Sequence, residues 1–523
     1  MKPDLYRIFH NIFIICAFIS CNQSQKETPV KQITPKNESY WSGGVTYEVF
    51  VQSFYDSNGD GIGDIKGLIA KLEYIANLGV EAIWLMPVHP SPTYHKYDVK
   101  DYFDIHPDYG TLEDFRLFVD EAHKRGLKVI LDLVLNHTSN EHHWFKESAK
   151  SKENPFRDFY IWADMDSIKA IGETKEATGD SDNLYLWNEA KGNEEKYFGF
   201  FWKTMPDLNY DEPKVREEVY KIGKYWLTEI GVDGFRLDAA RHIYPEERIN
   251  DSVAWWKAFK AEMEKVKPDV FLVGEVWGEA KDVAPFLAGL HAIFNFDQCF
   301  ALQNMLKRED ATEFLDTLFH TYIYYKKANR HYVDAIFTTN HDQNRILSEL
   351  EGNQIKGKLA ASIMLTLPGA PFIYYGEELG MLGKKPDEHI REPFLWEQNT
   401  KNRQTSWIEA KYNTPNKVPP LSLQILDKAS MYHHYKNLIS IRNSNLALKN
   451  GKIEAVKNSN KSLLAYKRVS DTQQFLVLHN VGQKSISFNL NEKVKTVFSS
   501  NKTVTFKGKI LPYSTFILEI LND

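Results

Sequence analysis

Four short stretches carry the side chains from which chemistry can be built. Residues 234–242 place Arg236, Asp238 and His242 within seven residues, just after the apolar positions Val232, Phe235 and Leu237. Residues 270–274 form a second apolar run that ends in Glu275. A third, 335–339, ends in Asn340, His341 and Asp342, and a fourth, 129–135, contains Asp132 and ends in Asn136 and His137. Alone, an Arg-x-Asp pair on a strand is more often a structural ion pair than a catalytic one. Four apolar strands that each deliver polar groups at the same end point instead to carboxylate chemistry. In a parallel barrel those ends face the active-site mouth, whereas the same groups in mid-strand would be buried without partners. Gly234 in such a strand allows another backbone or a ligand to come close.

The elements that must position these residues alternate. A first strand is predicted over 45–51, a helix over 68–78, a second strand over 82–86, a helix over 113–125 and a third strand over 128–135. Helices over 214–230 and 253–266 flank the strand that ends at Asp238, and further strands at 292–296, 335–339 and 371–375 complete a set of eight. Between His137 and Asn209 the alternation stops, in an aromatic-rich segment too long for a plain loop. After about Lys452 short alternating runs at 462–467, 475–478, 486–490 and 515–520 predict a small β-sandwich. Directly after the first strand, Asp56, Asn58, Asp60, Ile62 and Asp64 place oxygen donors at every second residue, the Ile62 carbonyl standing in for a side chain, with Gly61 at the sharp turn. That is the ligand spacing of a calcium loop, although Gly67 replaces the closing Glu of an EF-hand. An empty Gly-Asp loop is the alternative.

In order and spacing the four stretches resemble the motif regions of the α-amylase family of glycoside hydrolases (family 13), over roughly residues 40–430. The resemblance implies an α/β fold, a (β/α)8 TIM barrel over 40–136 and 210–450, with an inserted domain over 137–209 and a C-terminal β-sandwich over 451–523. It implies a retaining mechanism, which needs two carboxyl groups about 5–5.5 Å apart. Asp238 is then the nucleophile, Glu275 the acid/base, and Asp342 the third carboxylate, binding ring hydroxyls. Arg236 is expected to keep Asp238 ionised, while Asp238 and Asp342 keep Glu275 protonated. Tyr97, Asp98, His137 and His341 are implied as contacts to the attacked sugar, with Asp132 supporting the site from behind. Asp387 and Arg391 are implied as a sugar-binding pair, and a surface ion pair is the alternative. Related enzymes carry a similar structural calcium loop. The segment Met205-Pro206-Asp207-Leu208-Asn209 resembles the version found in the subgroup between oligo-1,6-glucosidases and neopullulanases, and Ala239 resembles α-1,4-acting members.

The balance of 64 Lys and Arg against 70 Asp and Glu leaves a net charge of −6, so no basic footprint for nucleic acid is present. Lys2 and Arg7 precede an apolar segment ending at Ser20-Cys21, which predicts a signal peptide over 1–20. The small residue before Cys21 resembles a lipoprotein processing box, so a lipid anchor at Cys21 and a polar tether over 21–39 are expected. Asn22 and the residues after it lack an acidic run, which favours a periplasm-facing anchor; plain secretion is the alternative. Cys299 alone would then remain unmodified, and no intrachain disulfide can form. The expected partner is an α-glucan, acted on by a monomer. An endo-acting α-1,4 hydrolase leads, ahead of an exo-acting α-glucosidase or a transglycosylase; a non-catalytic glucan-binding scaffold is the reading from another class.

Overall fold

The computed structural model describes residues 41, 43–171, 186–398, 404–501 and 505–521. The expected signal peptide, the tether and Cys21 therefore lie outside the described residues. Eight parallel strands close a barrel: β1 (Thr46–Val49), β2 (Ala82–Leu85), β3 (Lys128–Leu133), β4 (Gly234–Leu237), β5 (Phe271–Gly274), β6 (Ala292–Phe294), β7 (Val333–Phe337) and β8 (Ala370–Tyr374). They follow one another around the ring in sequence order, and β8 returns to β1 with Phe372 opposite Thr46. Helices cover the outside, so the strands are buried on both faces and read as apolar runs rather than alternations. Trp84, Ile130, Phe271, Val273, Phe294, Phe337 and Phe372 pack into one cluster contributed by six of the strands.

The helices follow from their periodicity and caps. In Ile65–Leu78 the buried residues Leu68, Leu72, Ile75 and Leu78 share a face; the Asp64 side chain accepts from Gly67 N, and Gly79 ends the helix at φ 95°. Leu112–Lys124 opens with a capping box between Thr111 and Asp114.

Strand ends fall short of the sequence expectation for one recurring reason. The first strand stops at Val49, and Val51–Phe54 form a buried helical turn. Phe296 begins the helix Phe296–Arg308, and Thr338 and Thr339 lie beyond β7. In each case the apolar run continues into buried turns, and periodicity does not separate a buried turn from a buried strand.

Between β3 and β4 the chain forms a helix, His143–Ser148, and a three-stranded antiparallel sheet of Trp162–Ala163, Trp187–Glu189 and Lys196–Phe198. Isolated bridges from His137 to Asp207 and from Tyr160 to Leu208 fasten the two ends of this insertion together beside the barrel mouth. Past the barrel, Lys452–Ala455, Leu463–Val469, Gln474–Asn480, Ser514–Ile520 and Val494–Ser499 form a five-stranded antiparallel sheet in that order, accompanied by the pair Ile486–Ser487 and Lys509–Ile510. A buried arginine of this domain reaches the barrel through carbonyls: Arg468 donates to Thr366 and to Gly451.

Candidate active site

The site begins with the contact of β4 and β5. A Cβ on Gly234 would sit 2.2 Å from the Phe271 carbonyl oxygen, so only glycine permits the two strands to lie together there. Leu237 pairs with Gly274, and Glu275 N donates to Leu237 O at 3.0 Å. Asp238 and Glu275 therefore leave adjacent strands on the same rung, about 4.8 Å apart by strand spacing. Ala239 takes a left-handed turn at φ 46°, and its N–H donates to Glu275 Oε2 at 3.2 Å. Trp277 Nε1 donates to the other oxygen at 3.2 Å.

Arg236, fully buried beneath them, is the hub. Its Nη1 donates to Asp238 Oδ1 at 2.5 Å and to Asp132 Oδ1 at 3.0 Å. Nη2 lies 2.8 Å from Glu275 Oε2, close as an ion pair but outside hydrogen-bond geometry. Burial pushes the Glu275 carboxyl up, Asp238 and Asp342 add to that, and Arg236 opposes it. Burial also raises Asp238, against a strong opposing pull from Arg236. The guanidinium thus favours the ionised form of both groups, Asp342 the protonated form of both, and ionised Asp238 adds to the pressure that keeps Glu275 protonated.

At the end of β7, Asp342 Oδ1 accepts from Arg391 Nη2 at 2.8 Å and Oδ2 lies 3.1 Å from His341 Nε2. Burial opposes its charge, yet His341, Arg391 and Arg236 together hold this carboxyl well below the usual range. Arg391 is 3% exposed and reaches Asp387 Oδ2 at 3.0 Å as well, so the expected pair 387/391 is tied to the third carboxylate and is not a free surface bridge.

The remaining expected sugar contacts gather around these groups. Tyr97 stacks on His341, with ring centroids 5.5 Å apart, and donates to Asp132 Oδ2 at 3.1 Å. Asp98 Oδ1 accepts from Ser91 at 2.6 Å and from Thr93. Asp98 Oδ2 and His137 Nε2 are buried without a hydrogen-bond partner. Burial holds His137 down at about 4, so its imidazole is neutral. An unsatisfied acceptor and an imidazole nitrogen at the barrel mouth match the hydroxyls of a sugar ring, since buried polar groups otherwise find partners.

Some residues of the site escape the sequence reading. Glu48 on β1 bonds His341 Nδ1 at 2.5 Å, and Trp84 Nε1 donates to Asp132 Oδ2 at 3.3 Å. A carboxylate inside an apolar strand was the available signal for Glu48. From the insertion, Phe200 stacks on His242 at 4.5 Å and Phe201 packs against both His242 and His137. Arg241 is turned away from the carboxylates, onto the Trp277 carbonyl and Glu246.

In the candidate calcium loop, Asp56 Oδ1 accepts from Asn58 N and Gly59 N at 3.1 and 2.6 Å, and Asp56 Oδ2 from Gly61 N at 2.8 Å. Asp60 Oδ1 accepts from Ile62 N at 2.8 Å, and Asp64 Oδ2 from Ser57 N at 2.8 Å. The carboxylates brace the loop through its own amides, and among the described residues no three carboxylate, imidazole or thiol groups converge on a point that could hold a metal. The donor chemistry of the loop, hard oxygens from Asp56, Asn58, Asp60, Asp64 and the Ile62 carbonyl, is nonetheless that of a calcium site.

A family profile described as "Alpha amylase, catalytic domain" matches residues 48–451, and the "Alpha-amylase SusG C-terminal domain" matches 463–517. Alpha-amylase 3 of Dictyoglomus thermophilum is 46% identical over 92% of this chain and 94% of its own length. A 4-alpha-glucanotransferase of Thermotoga neapolitana is 33% identical over 91% and 100%. Among solved structures, an alpha-amylase from H. orenii superposes with a TM-score of 0.84 at 42% identity, covering 92% of this chain and all of that one. With its barrel, its carboxylates at the ends of β4, β5 and β7, and these matches along nearly its whole length, the chain belongs to the α-amylase family, glycoside hydrolase family 13, and is a glycoside hydrolase.

Proposed function

We propose that this enzyme cleaves internal α-1,4-glucosidic bonds of starch or maltodextrin by double displacement. The observation that carries this reading is the pairing of Asp238 and Glu275 on neighbouring strands over one shared guanidinium. The Asp238 carboxylate attacks the anomeric carbon while Glu275 gives its proton to the departing glucosidic oxygen, leaving a glycosyl ester on Asp238 and Glu275 ionised. Glu275 then takes a proton from water, whose oxygen attacks the ester and frees Asp238. Asp342 binds ring hydroxyls most strongly in the distorted transition state, and it can do so because it stays ionised. The insertion, with Phe200 and Phe201 against His242, walls the leaving-group side.

The test is the time course of products from soluble starch and maltooligosaccharides, with Asp238→Asn as control. A rapid loss of iodine staining with mixed short maltooligosaccharides is expected. Glucose alone, released from chain ends, identifies an exo-acting α-glucosidase. Longer products built from maltooligosaccharides identify a transferase, a reading favoured by the similarity to a protein named 4-alpha-glucanotransferase. Binding without turnover leaves a scaffold.

Asp56, Asn58, Asp60, Ile62 and Asp64 are proposed to hold a structural calcium ion, which would brace the turn leading into Ile65–Leu78. Chelator is expected to lower the melting temperature by several degrees, with calcium restoring it and Asp60→Asn abolishing the response. We also propose export and a lipid anchor at Cys21, facing the periplasm. Cys21→Ala is expected to move the protein from the membrane to the soluble fraction.

A further inference from the structure

Glu48 lies on the first strand of the barrel, 1% exposed, 293 residues from the histidine it touches. Its Oε1 is 2.5 Å from His341 Nδ1. On the other side of the ring, Nε2 faces two oxygens, Tyr97 Oη at 2.5 Å and Asp342 Oδ2 at 3.1 Å. The proton positions follow from counting donors. Tyr97 gives its hydroxyl proton to Asp132 Oδ2, so its oxygen can only accept from His341. Asp342 is an ionised acceptor held by Arg391, and at Glu48 burial favours the protonated acid while His341 and Arg236 draw it back toward the carboxylate that accepts from the ring. Each ring nitrogen therefore faces acceptors, and the ring satisfies them only when both nitrogens carry a proton.

We propose that Glu48 is a positioning residue that locks His341 as an imidazolium, and through it fixes Asp342 in the ionised form that grips the sugar and Tyr97 in its stacked place. Three other observations agree. First, the imidazole is wholly buried, so its charge needs partners on both edges. Second, acidic groups outnumber the cations around it. Asp342 and Glu48 touch it, while Asp132, Asp238 and Glu275 feel it from β3, β4 and β5, with Arg236 and Arg391 as the opposing cations. Third, burial alone would strip the ring of its proton, yet Asp342 and Glu48 together push it up to about 10. A neutral imidazole could donate from one nitrogen only, leaving either Glu48 or the pair Tyr97 and Asp342 facing a bare lone pair.

This inference rests on the reading of Asp342 as a sugar-binding carboxylate, but its test does not require substrate. Histidine labelled with carbon-13 at Cε1 gives one signal for each of the 17 histidines, and His341→Asn identifies the relevant one by its loss. In the wild-type enzyme the His341 signal is expected to stay at its imidazolium position from about pH 5 to about pH 8.5. In Glu48→Gln, which keeps shape and a hydrogen bond but not the charge, the same signal is expected to titrate within that range. The kcat/KM of Glu48→Gln should approach wild type near the acid end and fall by about tenfold for each pH unit above the new titration point. Glu48→Asp retains the charge and should restore the imidazolium signal. A wild-type His341 that titrates in the range overturns the proposal even if neither Glu48 variant folds. So does a Glu48→Gln enzyme whose His341 signal and pH profile both superpose on wild type. Should starch prove the wrong substrate, activity is absent in every variant while the resonance still reports on Glu48.

Discussion

Two sets of buried carboxyl groups lie at the same end of this barrel and are treated in opposite ways. Asp132, Asp238, Glu275 and Asp342 share the cations Arg236, His341 and Arg391. Glu377 and Glu378, in the turn after β8, are met by hydroxyls. Glu377 accepts from Thr338 and Thr339 at 2.6 and 2.9 Å, and Glu378 from Tyr47 and Tyr74 at 2.6 and 2.5 Å. Arg345, whose charge both glutamates feel, spends its donors on the carbonyls of Ile390 and Tyr375. Burial accordingly pushes Glu377 up to about 8, while Asp342 is held below the ordinary range. A hydroxyl satisfies a buried carboxyl group without demanding that it be charged. A guanidinium or imidazolium favours the charge and prevails at Asp342, while burial still raises Asp132, Asp238 and Glu275, and Glu275 must be protonated to act as the acid.

The difference is broken most severely at the acid/base. Glu275→Gln leaves the hydrogen bonds from Ala239 and Trp277 with an acceptor but removes the transferable proton, and kcat should fall by about 10²–10⁴-fold in steady-state assays. Next comes the hub. Arg236→Met leaves several buried carboxylates without their shared cation, and urea unfolding should report a loss of about 3–5 kcal/mol. The smallest effect sharpens the contrast. Because Glu377 holds its proton more tightly folded than unfolded, its contribution to stability is complete below the ordinary glutamate value and is lost as pH rises toward about 8. Glu377→Gln should therefore change the melting temperature little near pH 5 and gain on wild type as pH approaches 8, with activity intact. A variant that instead loses ground with rising pH would place an ionised glutamate there.

Much of this was legible in the sequence because catalytic groups sit where apolar runs end. Asp238, Glu275 and Asp342 each follow a strand within a few residues, so the pattern that marks the strand also marks the site. What stayed hidden was mutual arrangement. Glu48 announced itself as a polar residue inside the run 45–51, and a buried carboxylate must have a partner, but nothing local says that the partner is His341. The strand limits were misplaced for a related reason: Val51, Phe296 and Thr339 are buried as deeply as the strands they follow, in turns that pack instead of pairing. Asp387 and Arg391 could be read as a pair from their spacing, whereas the reach of Arg391 to Asp342 depends on how the loops after β7 and β8 fold over the mouth.

The contact between the first strand and the seventh also sets a clock on the nascent chain. At about 5–20 residues per second, the ribosome needs roughly 15–60 s to travel the 293 residues from Glu48 to His341. By the end of that interval the nucleophile and the acid/base have both been made, yet the imidazolium between Glu48 and Asp342 does not exist. A chain interrupted before β7 thus carries the two reacting carboxyl groups but not the grip on the sugar, and competence arrives only when the ring of strands shuts.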